Sequence, residues 1–215
     1  MRCEPPATDN RLRRFVWAAH GLQAIPDPAI FCAPTQWYLM KGGDTVSLSN
    51  RETWTLIHGM IFGVVFLLGF AGGLEGLYSL RPRLLTTAGV RDRVLRLKIG
   101  VVAMAVAAWG TVITGTWVIY PWYRAKVPES AKSILVADPA TAQWHSFGME
   151  WKENIAWISP ILATVVAFVI MYYGVRLIKH ERARKATLVL FVLAFAMAAV
   201  AGGLGALITK TSPVL

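Results

Sequence analysis

The sequence predicts an all-α integral membrane protein, an antiparallel four-transmembrane-helix bundle with an amphipathic interfacial segment in the outer loop. Three observations carry that expectation. The chain has 215 residues, of which 55% are hydrophobic and only 16% charged, and its mean hydropathy is +0.49; soluble domains carry roughly 25% charged residues. Four stretches are apolar enough and long enough to cross a bilayer, which takes about 20 residues at 1.5 Å each. The formal net charge of +10 gathers between those stretches.

Residues 1–53 come first and read as a tail rich in proline and small residues. No apolar run precedes a small-residue cleavage site, so no cleavable signal peptide is expected. Arg11 to Leu22 fits a short basic amphipathic helix on the membrane surface. Cys3 and Cys32 allow one disulfide if the tail lies outside the cytoplasm. An alternative start at Met40 would make residues 1–39 non-native, and a native peptide from that stretch would exclude it.

The spans are expected at about 54–80, 98–120, 155–178 and 186–209. None alternates strictly as a barrel strand would, and lipid offers no partner to backbone polar groups, so these are helices. Pro160 falls in the first turns of the third span, where a missing N–H costs little. Arg81-Pro82-Arg83 ends the first span and Pro121 ends the second. Within the long connection 121–154, the stretch 144–153 puts Trp144, Phe147 and Trp151 on one face and reads as an interfacial anchor.

The charges sort by segment. Loop 81–98 holds Arg81, Arg83, Arg91, Arg93, Arg96 and Lys98 against Asp92 alone; loop 176–185 holds Arg176, Lys179, Arg182, Arg184 and Lys185 against Glu181. Short basic loops stay on the cytoplasmic side, which places both termini and the connection 121–154 outside. Trp54, Trp117, Trp122, Trp144, Trp151 and Trp157 cluster toward those outer ends, as an aromatic belt does. The expected location is a cell (inner or plasma) membrane. The basic loops lack interleaved aromatics and a binding-fold motif, which excludes a nucleic-acid partner; anionic lipid headgroups suit them.

At 100° per residue, Phe62, Val65, Gly69, Gly72 and Gly76 share a face with His58. Gly100, Ala103, Ala107, Thr111 and Thr114 form a small-residue stripe on the second span, and Ala198, Ala201, Gly202 and Gly205 form one on the fourth. Such faces let backbones approach closely and mark packed sides.

His58 is the sharpest candidate for chemistry. Ionisable residues within a membrane are costly and usually face the bundle interior. A structural histidine bonded to a neighbouring helix is the plain reading; an axial ligand to haem b, or a quinone or proton contact, is the functional one. His145 and Met149 are the candidate second ligands for a cofactor. Straight helices leave His145 about 16 Å farther out than His58, so the pair needs 144–153 to fold back. No CxxCH is present, which excludes covalent haem. Tyr120 and Glu153 lie at matching depth; in the functional reading 144–153 is a polar lid over an outward-facing site lined by His58, His145, Glu150 and Glu153. The spacing of His58, His145, Glu150 and Glu153 fixes no metal-ligand pattern. Glu75, the one acid within a span, is expected to pair with a basic loop, with a proton relay as the alternative.

No Walker, Rossmann, zinc-protease or serine-nucleophile signature appears, so the chain is not expected to be an enzyme on its own. The layout resembles that of small four-helix membrane cytochromes and quinone-reactive anchor subunits, a likeness of architecture alone. Three readings follow. The first is an integral-membrane subunit or partner-binding protein, docking other subunits or its own copies in the bilayer, within an electron-transfer chain if the resemblance extends that far. The second is a haem b or quinone electron-transfer protein using His58. The third is a small transporter, which the scarcity of ionisable groups in the spans disfavours.

Overall fold

The computed structural model describes residues 48–80 and 87–212, apart from the side chains of 87 and 88. These belong to the unit Ser47–Leu215. The expectations for Arg11 to Leu22, Cys3, Cys32 and residues 1–39 lie outside the described residues, as do Arg81 and Arg83.

Among the described residues the structure is helical, with no strand. Four helices are long and apolar enough to cross a membrane: α1 (Asn50–Ser79), α2 (Gly89–Tyr123), α4 (Trp144–Ile178) and α5 (Glu181–Thr211). A short helix, α3 (Ala131–Ala137), lies between α2 and α4. Ser49 starts α1 through a capping box: its hydroxyl accepts from the Glu52 amide at 3.2 Å, and Glu52 accepts from the Ser49 amide at 2.8 Å.

Each long helix outruns its apolar stretch. Hydropathy registers only residues that prefer hydrocarbon, whereas backbone hydrogen bonding continues into polar flanks. Most of the expected basic loop 81–98 is thus the opening of α2, where Arg96 pairs with Asp92 at 2.7 Å. The stretch 144–153 needs a correction. It is helical but forms the first turns of α4 and does not stand apart as an interfacial segment. Pro160 therefore lies inside a helix. It cannot donate to the carbonyl four residues back, and the helix loses its regular form at Trp157. At the other end of α4, Gly174 takes φ +50°, a value that disfavours a Cβ, and turns the helix into a final 3-10 turn over Gly174–Ile178.

Glycines set how closely the helices meet. A Cβ on Gly69 would lie 2.8 Å from the Gly100 carbonyl oxygen and 2.9 Å from Met104 Cβ, so α1 and α2 touch backbone to backbone. Gly76 faces Leu97, and the Phe62 ring covers Gly110, so α1 and α2 run antiparallel. Between α1 and α5, Gly73 admits the fully buried Phe191 ring. Phe70 stacks on Phe191 at 5.1 Å and on Phe195 at 4.0 Å. Trp109 of α2 donates to Thr164 of α4 at 3.0 Å, and Trp117 meets Trp157 edge-on. Arg184, in the first turn of α5, donates to the Leu80 carbonyl just past α1 at 2.6 Å, satisfying a terminal backbone acceptor.

The expected face of α1 also shifts. Gly69 and Gly76 are packed as predicted, but Gly72 has no described neighbour within 4 Å and Val65 is exposed; Gly73 and Leu77 are buried instead. The cause is a π-helical turn at Ile57–Ile61. It takes in an extra residue, so constant 100° steps counted from His58 lose the true face. On α5, Ala201 is buried as expected while Gly202 is open.

Candidate functional site

Three π-helical turns occur in the described residues: Ile57–Ile61 in α1, Gly115–Ile119 in α2 and Trp144–Met149 in α4. With α1 and α2 antiparallel and α4 antiparallel to α2, all three fall toward one end of the helices. That end is the one holding His58, Thr114, Tyr120 and His145. Such turns give up regular hydrogen bonding to re-aim side chains.

His58 is half-buried on the π turn of α1. Its Nδ1 lies 3.0 Å from Thr114 Oγ1 of α2. The Thr114 hydroxyl also lies 2.7 Å from the Gly110 carbonyl oxygen and 3.2 Å from that of Thr111. A hydroxyl has one proton, and the Gly110 carbonyl can only accept, so Thr114 donates there and accepts from the imidazole. In the neutral ring the proton then sits on Nδ1, and Nε2 carries the lone pair. The ring has room because Gly115 lies beneath it: a Cβ there would come within 2.8 Å of Cε1.

Two further polar groups lie on α4, at different depths. Lys152 of α4 lies along the Gly205 backbone of α5, with Nζ 3.3 Å from where a Cβ would sit. It is within electrostatic reach of His58 and has no ion pair or hydrogen bond among the described residues. Ser159, seven residues or about 10 Å farther along α4, is 3% exposed, and its hydroxyl has no partner among the described residues. Because Trp109 faces Thr164 and Trp117 faces Trp157, Ser159 stands level with Thr114, and therefore with His58.

The predicted second ligands are not brought to His58. His145 Nδ1 is bonded to the Tyr123 hydroxyl at 2.8 Å. Tyr123 lies nine residues beyond Thr114 on α2, about 13 Å along the axis. Met149 is buried in an apolar cluster with Tyr123, Ala131, Leu135 and Ile208. The continuous helix explains both placements, since the fold-back that would lower His145 does not occur. Glu150 is exposed. Glu153 lies beside the Tyr120 hydroxyl, which also accepts from Arg124 at 2.5 Å. No lid forms over His58 from these residues. Among the described residues no three His, Cys, Asp or Glu stand close enough to hold a metal ion. Glu75 points away from the packed helices; it is exposed and makes no ion pair among the described residues.

Sequence reasoning missed Thr114 as a hydrogen-bond partner, having counted it only as a small residue; it placed Lys152 on a face of 144–153 with His145 and Met149, and it missed Ser159 altogether. The seven-residue spacing of Lys152 and Ser159 was visible, but it signals a shared face only if α4 begins well before residue 155. Compared with protein-family models, with curated proteins and with solved structures, the chain has no match.

Proposed function

We propose that this chain is a non-catalytic integral-membrane subunit, a four-helix bundle that holds other transmembrane chains, or its own copies, against α1. Its basic segments face the cytoplasm and the His58 end faces outward, in keeping with the Lys/Arg distribution.

One observation carries this reading. A Cβ on Gly69, Gly73 or Gly76 of α1 would run into a neighbouring helix, yet a Cβ on Gly59 or Gly63, four residues apart on the same helix, would meet no described neighbour within 4 Å. Glycine on a lipid-facing helix surface gives up side-chain contact and helix propensity, costing about 1 kcal/mol against alanine. Pairs of small residues four apart are what a second helix needs for close approach. Gly202 and Gly203 of α5 are open in the same way.

The test is a Gly59→Leu/Gly63→Leu double variant in native membranes. Both positions have room for a side chain, so the monomer should unfold at an unchanged or slightly higher temperature. The complex should fall to monomer size on a native gel, with at least a tenfold loss of the assembled form. An assembly of unchanged size would refute the docking face. An electron-transfer reading rests on His58 alone, because neither His145 nor Met149 reaches it; what favours it is the lone pair left on Nε2.

A further inference from the structure

Glu75 is an acid on the outer surface of a helix long and apolar enough to cross a membrane. It is exposed and makes no ion pair among the described residues. Its neighbour Gly76 faces Leu97 of α2, so the acid stands level with the basic opening of that helix. Leu80, just past the end of α1, lies about 8 Å farther along the axis. An ionisable side chain on the lipid side of a helix is costly, and such groups usually pair with an opposite charge.

The helix register ties this acid to the open glycines. Past the π turn, α1 is regular from Phe62 to Ser79. Gly63, Leu67, Ala71 and Glu75 follow one another there at four-residue intervals. A Cβ on Gly63 would meet no described neighbour within 4 Å, Leu67 is 55% exposed, and Ala71 and Glu75 are exposed. Val64 and Leu68, in the adjoining row, are exposed as well. Rows of residues four apart are the ridges along which two helices interdigitate when they cross at about −50°. Small residues in such a row let the backbones of membrane helices approach in a right-handed crossing. The row is thus a track for one helix, glycine toward the His58 end and acidic toward the basic end.

We infer that the helix seated on this row belongs to a different subunit and brings a lysine or arginine to Glu75. The inference rests on α1 being a docking face. Charge complementarity chooses the occupant. Transmembrane helices gather Lys and Arg at their cytoplasmic ends, so a partner laid over the row presents a cation at the level of Glu75. A second copy docked through its own α1 does not. A two-fold contact repeats the same surface on both sides, which sets acid against acid, and α1 has no lysine or arginine between Glu52 and Leu80. A copy docked through another of its helices would make a head-to-tail ring or filament of this polypeptide alone.

The test uses the full chain in native membranes, extracted in mild detergent and sized on a native gel, with Glu75→Asp, Glu75→Gln and Glu75→Lys. The side chain faces away from the bundle, so all three monomers should unfold at the native temperature. The assembled form should fall at least about threefold with Glu75→Gln and at least about tenfold with Glu75→Lys, which sets like charges together, and stay within about twofold with Glu75→Asp. Mass spectrometry of the isolated assembly should find a second polypeptide. Changing the facing lysine or arginine of that polypeptide to glutamate should restore assembly with Glu75→Lys. Assembly that falls with Gly59→Leu/Gly63→Leu but is indifferent to Glu75→Gln and Glu75→Lys would overturn the charge pair and leave the docking face standing. Assembly indifferent to the glycine variants as well would remove the face itself. An assembly made of this polypeptide alone would overturn the choice of occupant.

Discussion

Gly69→Leu should destabilise the protein by at least about 3 kcal/mol, read as a shift in dodecyl sulfate or thermal unfolding in detergent. Overpacking a tight core typically costs about 1–3 kcal/mol, and more where the obstructing atoms cannot move. Here they cannot. The new Cβ would stand 2.8 Å from a backbone carbonyl, that of Gly100, and 2.9 Å from Met104 Cβ. Neither is the free end of a flexible side chain, so α1 and α2 must separate. The control lies directly across the contact. A Cβ on Gly100 meets Gly69 O at 3.7 Å, an ordinary van der Waals distance, so Gly100→Ala should leave stability unchanged or raise it by up to about 1 kcal/mol. Equal costs for the two substitutions would mean that α1 and α2 do not meet in this register.

Phe191→Ala is the second large effect, expected at about 3–5 kcal/mol. Phe191 is fully buried, stacks on Phe70 and fills the space left by the missing side chain of Gly73. In lipid the loss is one of packing, because apolar surface gains little by leaving hydrocarbon. Gly73→Ala alone should also destabilise, since its Cβ would fall 2.5 Å from the Phe191 ring. In the Phe191→Ala background that clash is gone and the added methyl fills part of the cavity. The cost of Gly73→Ala should therefore vanish or reverse, with a coupling of about 1–3 kcal/mol in the double-mutant cycle. Strict additivity would show that the ring and the glycine are not in contact.

The long helices were legible in the sequence because the property that marks them, sustained apolarity, is local and one-dimensional. Their ends were not, because Arg91 to Lys98 are polar enough to read as loop and 144–153 as a separate interfacial anchor, yet both continue the helical hydrogen bonding of the long helices. His58 was legible as a candidate because an ionisable residue among apolar ones stands out at any register. Its surroundings were not. The π turn at Ile57–Ile61 offsets the helix faces, so Gly72 was assigned to the packed side, and Gly73 was passed over. His145 was rightly placed outside the level of His58 by counting residues along straight helices. Its Tyr123 partner depended on α2 reaching past Pro121, which sequence alone read as a stop. Proline is tolerated there because it sits in the first positions of the short α-helical turn that follows the π turn. Glu75 makes no ion pair among the described residues, which do not include Arg81 and Arg83 of the first basic loop.

The glycine face of α1 is the center of the functional reading, and photo-cross-linking tests it most directly. A photoreactive residue is placed at position 59 or 63 of the chain in its native membrane, with position 168 as a lipid-facing control, where Phe168 is 70% exposed. The reading predicts adducts to a polypeptide at 59 and 63, a second copy or another subunit, and lipid adducts alone at 168. Lipid adducts alone at all three positions would contradict it.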